Sequence, residues 1–255
     1  MQFAVQTDWL ITLLLCSTRC IAWMSIAPPM ATGGVPSHIK AIFGVALGLA
    51  LVPSSEAHAP PPELVPVIGA LVLQIVVGVG LGFLTRLLFS AVEAAGSALD
   101  MFGGFSMAIA YDPFTKSATS VFGKFYAILC TTLIFATNTH LVIFGGFIRS
   151  FDAIPLDGTF NTASLAHAVT TGMTQMFVAT LQIAGPLIVV LFIADVALGI
   201  MNRIAPQLNA FQLSFPIKIG LTMLLTGIGF ATMPRTVIET ANHVNNLISS
   251  VIGGG

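Results

Sequence analysis

The chain has 255 residues, of which 56% are hydrophobic and only 7% are charged, and its mean hydropathy is +0.96. A soluble globular domain carries about a quarter charged residues, so the composition excludes a soluble fold and predicts a polytopic membrane protein. The net charge of −1 gives no indication of a nucleic-acid partner. Cys16, Cys20 and Cys130 lie in apolar segments without disulfide or metal-ligand spacing, and we interpret them as packing residues.

The first residues are not typical of a cleaved signal peptide. Met1–Asp8 has no positively charged region, and Arg19 interrupts the apolar run that follows. We therefore expect a retained first helix.

Six apolar segments predict membrane helices, since a span needs about 20 mostly apolar residues. Gly44 and Gly48 give the second segment a small-residue face, which lets helices approach closely. Pro186 predicts a kink in the fifth. The connector 202–216 contains two prolines and should not be a plain helix, whereas 234–255 has the pattern of a final amphipathic helix. The six segments are 10–27, 39–52, 64–85, 125–148, 172–201 and 217–233.

Two charged residues lie inside predicted spans and are functional candidates for that reason. Arg19 is in the middle of the first segment, where an arginine opposes insertion by about 2.5–3.5 kcal/mol, and Asp195 is in the fifth. We expect the two to form an intramembrane charge pair. The alternative is that each side chain only caps or hydrogen-bonds local backbone.

The stretch GSALDMFGGFSMAIAYDPF (96–114) lies between two apolar segments and is a poor span. Its Gly-Gly pair and its Asp-Pro step break helices. Irregular backbone at membrane depth survives only inside protein or along a wet cavity, so we interpret it as a re-entrant plug. The alternative is a surface loop with an amphipathic helix. The candidate plug residues are Met101, Phe102, Gly103, Gly104, Phe105, Ser106, Met107, Ile109, Tyr111, Asp112 and Pro113.

No enzymatic motif is present. The chain has no phosphate-binding glycine loop, no zinc-protease motif and no nucleophile elbow, and its five histidines are scattered. We therefore expect no catalytic site, no cofactor and no metal.

The distribution of lysine and arginine predicts the orientation. Six of these residues fall in the first, third and fifth loops and two in the fourth loop and the tail, which predicts an N-terminus outside the cytoplasm. The six are Lys40, Arg86, Lys116, Lys124, Arg203 and Lys218, and the two are Arg149 and Arg235.

Four stretches have a pattern shared with a known family: RCIAWMSIAPPMATGGVPSHIKAIFGVALG (Arg19–Gly48), GGFSMAIAYDP (Gly103–Pro113), FDAIPLDG (Phe151–Gly158) and ADVALGIMNRIAPQLNAFQLSFPIKIG (Ala194–Gly220). They resemble the FliR family, the R subunit of the flagellar type III export gate, which has relatives in virulence secretion systems. The resemblance is collinear over nearly the whole chain. FDAIPLDG favours the flagellar over the virulence system.

The resemblance implies an all-α subunit of about six hydrophobic helices plus the plug, present in one copy beside several FliP- and FliQ-type subunits. Residues 1–171, with the plug at 94–124, resemble the P subunit, and residues 172–255 resemble the helical hairpin of the Q subunit with a tail helix. The complex would sit in the bacterial inner membrane at the flagellar basal body, with a periplasmic N-terminus.

The resemblance also implies partners and roles. The plug would lie across a channel for unfolded protein substrates, and FlhB- and FlhA-type components and membrane lipid would be further partners. The cytoplasmic entrance and its partner contacts would be formed by Arg203, Pro206, Gln207, Asn209 and Phe211.

Two other classes of protein remain as alternatives. A small-solute secondary transporter would bind its substrate at broken helices, and it predicts an inverted repeat. An intramembrane hydrolase would need a reactive serine or a pair of aspartates on facing helices.

Overall fold

The computed structural model describes residues 7–31, 35–55, 60–105, 120–157, 162–205 and 210–252. Within these ranges the chain forms eight α-helices and no strand, so the all-α membrane fold class is confirmed. The helices are α1 (Thr7–Ile26), α2 (Ser37–Ser55), α3 (Leu64–Phe102), α4 (Val121–Ala136), α5 (Thr139–Ala153), α6 (Thr162–Ile204), α7 (Ala210–Phe230) and α8 (Met233–Ile252).

Membrane-spanning candidates account for most of the predicted segments. In the described part of the chain, α1, α3, α6 and α7 are long and apolar enough to cross a membrane, and the consecutive pair α4 and α5 provides a fifth candidate. The predicted tail helix is also confirmed as α8, which buries Ala241, Val244 and Ile248.

The prediction of one continuous helix over 125–148 is wrong. Helix α4 ends at Ala136, where the Thr137 backbone N–H donates to Leu133 O, and Asn138 has a left-handed backbone with φ 56°. Asparagine tolerates this conformation better than most residues because its short polar side chain can hydrogen-bond locally. The apolar segment therefore breaks without a glycine or a proline.

Two other stretches are more helical than predicted. Helix α3 continues to Phe102, so residues 96–102 are regular helix rather than irregular backbone. The ends of the connector 202–216 are also helical, because α6 reaches Ile204 and α7 begins at Ala210, with Pro216 inside it. Proline interrupts one helical hydrogen bond, which helices in apolar surroundings accommodate through neighbouring groups.

The described chain divides into two compact units, of which the first contains residues 1–88, 138–173 and 240–255. Its centre is α1, which approaches α2 closely: a Cβ atom on Gly44 would lie 2.5 Å from Ile21 Cγ1, and one on Gly48 would lie 2.8 Å from Ser17 N. The prediction of a small-residue face on α2 is confirmed.

Helix α1 meets α3 through a second pair of glycines. A Cβ atom on Gly78 would lie 2.6 Å from Arg19 O, and one on Gly82 would lie 2.9 Å from Trp23 O. Because successive helical residues are rotated by about 100°, these contacts lie on the side of α1 opposite to α2. Trp23 is fully buried and stacks on Phe147 of α5, with ring centroids 4.3 Å apart.

The second unit contains residues 89–137 and 174–239. Within it, the end of α3 packs closely on α4, because a Cβ atom on Gly96 would lie 2.5 Å from the carbonyl oxygen of Phe122. Tyr126 of α4 is buried, and its hydroxyl oxygen would lie 3.8 Å from a Cβ atom on Gly229 of α7. This unit contains the described part of the predicted plug.

Candidate functional site

The structure describes the first five candidate plug residues, Met101 to Phe105. The remaining candidates, Ser106, Met107, Ile109, Tyr111, Asp112 and Pro113, lie outside the described residues. The plug base, by which we mean residues 96–105 and 120–123, is therefore the part of the predicted plug with known geometry.

Helix α3 ends in a defined turn at the plug base. The Gly103 N–H donates to Leu99 O at 2.7 Å, and the Phe105 N–H donates to Asp100 O at 3.1 Å. Gly104 has φ 85°, a conformation that side-chain-bearing residues rarely adopt. This combination is the Schellman type of helix end, with the left-handed glycine just past the helix. The second glycine of the Gly-Gly pair therefore ends the helix.

The neighbouring residues are held by close contacts. A Cβ atom on Gly103 would lie 2.5 Å from Thr222 Oγ1 of α7, so only glycine fits without a shift. The ring of Phe105 packs edge-on against Phe122 of α4, with centroids 5.0 Å apart. By contrast, Met101 is 66% exposed. The start of the plug is therefore held by contacts with α7 and α4, while the apolar side chain of Met101 is exposed.

Asp100 joins the two helices that flank the plug. Its Oδ2 accepts the Phe122 backbone N–H at 2.9 Å and also the Ser120 hydroxyl. The Ser120 Oγ in turn accepts the Gly123 N–H at 2.8 Å and serves as the N-cap of α4. A helix N-terminus has unpaired N–H groups and a partial positive charge, and both favour a carboxylate.

An ion pair lies beside the plug base within the hairpin of α6 and α7. Lys218 Nζ contacts Asp195 Oδ1, and the two side chains are 18% and 40% exposed. Lys218 Cδ would lie 3.9 Å from a Cβ atom on Gly104. The pair joins two membrane-span candidates, where an unpaired charge is unfavourable.

Arg19 is fully buried and has no acidic partner among the described residues. Its Nε donates to Gln74 Oε1 at 2.5 Å, and its two terminal nitrogens donate to Ser150 O at 3.0 Å and to Ile154 O at 2.8 Å. The guanidinium also lies over the Phe151 ring, 4.3 Å from its centroid. The two carbonyls belong to the C-terminal end of α5, whose partial negative charge favours a cation.

Arg19 lies in the first unit and Asp195 in the second, and their pairing stays a prediction. Each of the two charges has other partners: Arg19 donates to Gln74 and to carbonyls at the end of α5, and Asp195 contacts Lys218. The alternative in which Arg19 satisfies backbone groups fits the structure, although the backbone belongs to a different helix.

The predicted entrance residues are only partly described. Arg203 lies in the last turn of α6 and is exposed. Pro206, Gln207 and Asn209, and the side chain of Phe211, lie outside the described residues. Within the described ranges no group of His, Cys, Asp and Glu side chains is placed to hold a metal ion.

Sequence reasoning missed three partners. Gln74 had a signal, because it is the one amide in an otherwise apolar run, 64–84. Lys218 was assigned to a loop. Its signal was its position: Asp195 lies shortly before the connector 202–216 and Lys218 lies shortly after it, so a hairpin brings the two side chains together. The bond from Asp100 to Ser120 had no local signal, since the residues are 20 apart and separated by a helix end.

Comparison with known proteins identifies the family. The model of the family "Bacterial export proteins, family 1" matches residues 10–244. The chain belongs to this family. The resemblance to FliR is thereby confirmed, and family membership together with the apolar helices makes the chain an integral membrane protein.

Several curated relatives of this chain are flagellar proteins. It is 29% identical over 247 residues to "Flagellar biosynthetic protein FliR" of Bacillus subtilis (strain 168), covering 93% of this chain and 95% of that protein. It is 27% identical over 234 residues to the protein of that name from Escherichia coli (strain K12), covering 92% and 90%. The counterpart from Aquifex aeolicus (strain VF5) is 25% identical over 240 residues, covering 92% and 90%.

Proposed function

We propose that this chain is a non-catalytic subunit of the flagellar type III protein export gate in the inner membrane. With FliP- and FliQ-type subunits it would form a channel for unfolded flagellar substrates, and its segment 101–113 would be the plug. Family membership and the flagellar relatives support the export role. The exposed apolar surface of α6 is the observation that supports partner subunits.

That apolar surface is too long for lipid alone. Large hydrophobic side chains are exposed on α6 from Phe177, which is 61% exposed, to Ile204, which is 78% exposed. These 27 residue steps span about 40 Å at about 1.5 Å per residue, whereas the hydrocarbon core of a bilayer is about 30 Å thick. To fit, the helix would need a tilt of about 42°, at the upper limit of about 40° seen for membrane helices.

Protein partners remove this mismatch, because they cover apolar side chains at any depth. The P-like part would be residues 1–171 and the Q-like hairpin residues 172–255, with the connector and Arg203 at the cytoplasmic entrance, in contact with FlhB- and FlhA-type components. The N-terminus would be periplasmic, because six of the eight Lys and Arg residues other than Arg19 lie in the odd-numbered loops or at the ends of the apolar segments that flank them.

Purification tests the partner proposal. The tagged chain, solubilised in mild detergent and weighed by native mass spectrometry, is expected to carry unlike subunits. A secondary transporter would instead appear as a monomer or as a symmetric oligomer of identical chains. That outcome would overturn the proposal.

Deletion tests the plug proposal. Removal of residues 106–113 leaves the described base intact and is expected to yield assembled complexes that conduct ions, because an apolar constriction excludes ions by dewetting. Deletion of residues 56–59, in the polar loop between α2 and α3, is the control and should conduct like wild type. If the assembled plug deletion conducts no more ions than wild type, segment 106–113 does not block the channel.

A further inference from the structure

The position of Asp100 is unusual for a carboxylate. It lies in the last turn of α3, where the partial negative charge of the helix end disfavours an acid. It is nevertheless only 4% exposed, and its Oδ1 has no hydrogen-bond partner within the described ranges. The interactions that hold it are those of Oδ2 with Ser120 and Phe122, at the N-terminus of α4.

The carboxylate of Asp100 therefore stabilises the N-terminus of α4, which begins some 20 residues later in the sequence. Segment 106–119, which contains most of the predicted plug, connects the two helices that Asp100 joins. The same junction has the close backbone contact of Gly96 with Phe122 and the edge-on contact of Phe105 with Phe122. The capping of α4 by Asp100 and the close packing of α3 on α4 therefore occur at the same junction.

We propose that Asp100 is a positioning residue that keeps the plug base closed, so that α3 and α4 stay together while substrates pass. This inference rests on the proposed plug function and adds to it that the plug base keeps its geometry during export.

Two substitutions at Asp100 separate positioning from folding. Asp100→Ala removes the acceptor, whereas Asp100→Asn keeps an oxygen that can accept the same two hydrogen bonds. We expect the alanine variant to assemble at wild-type amounts and to conduct ions several-fold more than wild type, and the asparagine variant to stay closed. A lowered amount of complex in the alanine variant, with the remaining complexes as closed as wild type, would show a merely structural role and overturn the proposal.

A crosslink tests whether the base opens. A Cβ atom on Gly123 would lie 2.5 Å from Ser97 Oγ, so cysteines at these two positions are close enough for a disulfide between α3 and α4. It would also lie 2.5 Å from Ser120 Oγ, so Gly123→Cys alone is a required control. The native cysteines 16, 20 and 130 are buried and free. The oxidised Ser97→Cys/Gly123→Cys protein is expected to export flagellar substrates at the rate of the same protein after reduction, and Ser97→Cys alone is the control.

The crosslink also provides a rescue. In the Asp100→Ala background, oxidation should return the ion conductance to the wild-type value. If oxidation stops export in the otherwise wild-type complex, the base must open and the proposal is wrong. Failure of the plug function itself is recognised separately, because the 106–113 deletion would then not leak whatever the crosslink does.

Discussion

Replacement of Arg19 by methionine should strongly destabilise the first unit. Methionine fills a similar volume but donates no hydrogen bond, so two buried acceptors, Gln74 Oε1 and Ile154 O, lose their Arg19 donors. Ser150 O is less affected, because it also accepts the Ile154 N–H at 3.0 Å. An unsatisfied buried acceptor costs about 1–3 kcal/mol, so the loss in the free energy of unfolding should be about 2–6 kcal/mol.

A second substitution tests the cause of this loss. Gln74→Leu removes one of the two acceptors, together with the long 3.5 Å bond from Gln74 Nε2 to Leu156 O. The double variant should therefore lose less than the sum of the two single variants. Coupled residues show such non-additivity, whereas independent sites add. The assay is the thermal unfolding midpoint of the purified complex, where about 1 kcal/mol corresponds to roughly 2–4 °C for a chain of this size.

Arg235→Met is the matched control. Arg235 also interacts with a polar side chain, Glu239 Oε1 at 2.7 Å, but it is 85% exposed, so its loss should leave the midpoint unchanged. The reasoning is refuted if Arg19→Met unfolds at the wild-type temperature, or if the losses of Arg19→Met and Gln74→Leu add up in the double variant.

Two further predictions concern backbone geometry and use the same midpoint assay. Gly78→Val should destabilise the chain by about 1–3 kcal/mol, because its Cβ would lie 2.6 Å from Arg19 O. Gly69→Val in the same helix is the control and should be tolerated, since a Cβ atom there has nothing within 4 Å. Equal effects of the two variants would refute close packing of α1 on α3. Asn138→Val should lower the free energy of unfolding by about 1–2 kcal/mol, because residue 138 has a left-handed backbone. Asn138→Gly should be near neutral. A valine variant as stable as wild type would show that α4 and α5 are not separated by this conformation.

Hydrophobic length and small-residue spacing predicted most of the helices. The apolar runs predicted α1, α2, the start of α3 and the part of α6 after residue 172, because burial of backbone in apolar surroundings requires helix. Gly44 and Gly48 correctly indicated close packing of α2, since a missing Cβ atom has a direct geometric consequence. The amphipathic tail was predicted for the same reason: its apolar period matches the helix.

The remaining features depend on contacts between distant residues. The end of α3 at Phe102, well beyond the predicted end at residue 85, is set by the turn at Gly104. The carboxylate of Asp100 binds Ser120, which lies beyond the plug segment. The partners of Arg19 are 55 to 135 residues away, and two of them are main-chain carbonyls, which any residue type supplies. A single sequence does not indicate which main-chain carbonyl faces a guanidinium, so these partners of Arg19 could not be predicted from it.

The distances along the chain from Arg19 to its partners also bear on biosynthesis. The carbonyl of Ile154 is made 135 residues after Arg19, which at about 5–20 residues per second corresponds to a delay of roughly 7–27 s. During that interval Gln74, 55 residues after Arg19, is the first of these partners to be made, and both carbonyl acceptors are still missing. The ribosome-bound intermediate must therefore wait in a hydrated or protein-lined part of the insertion machinery until α5 has been translated.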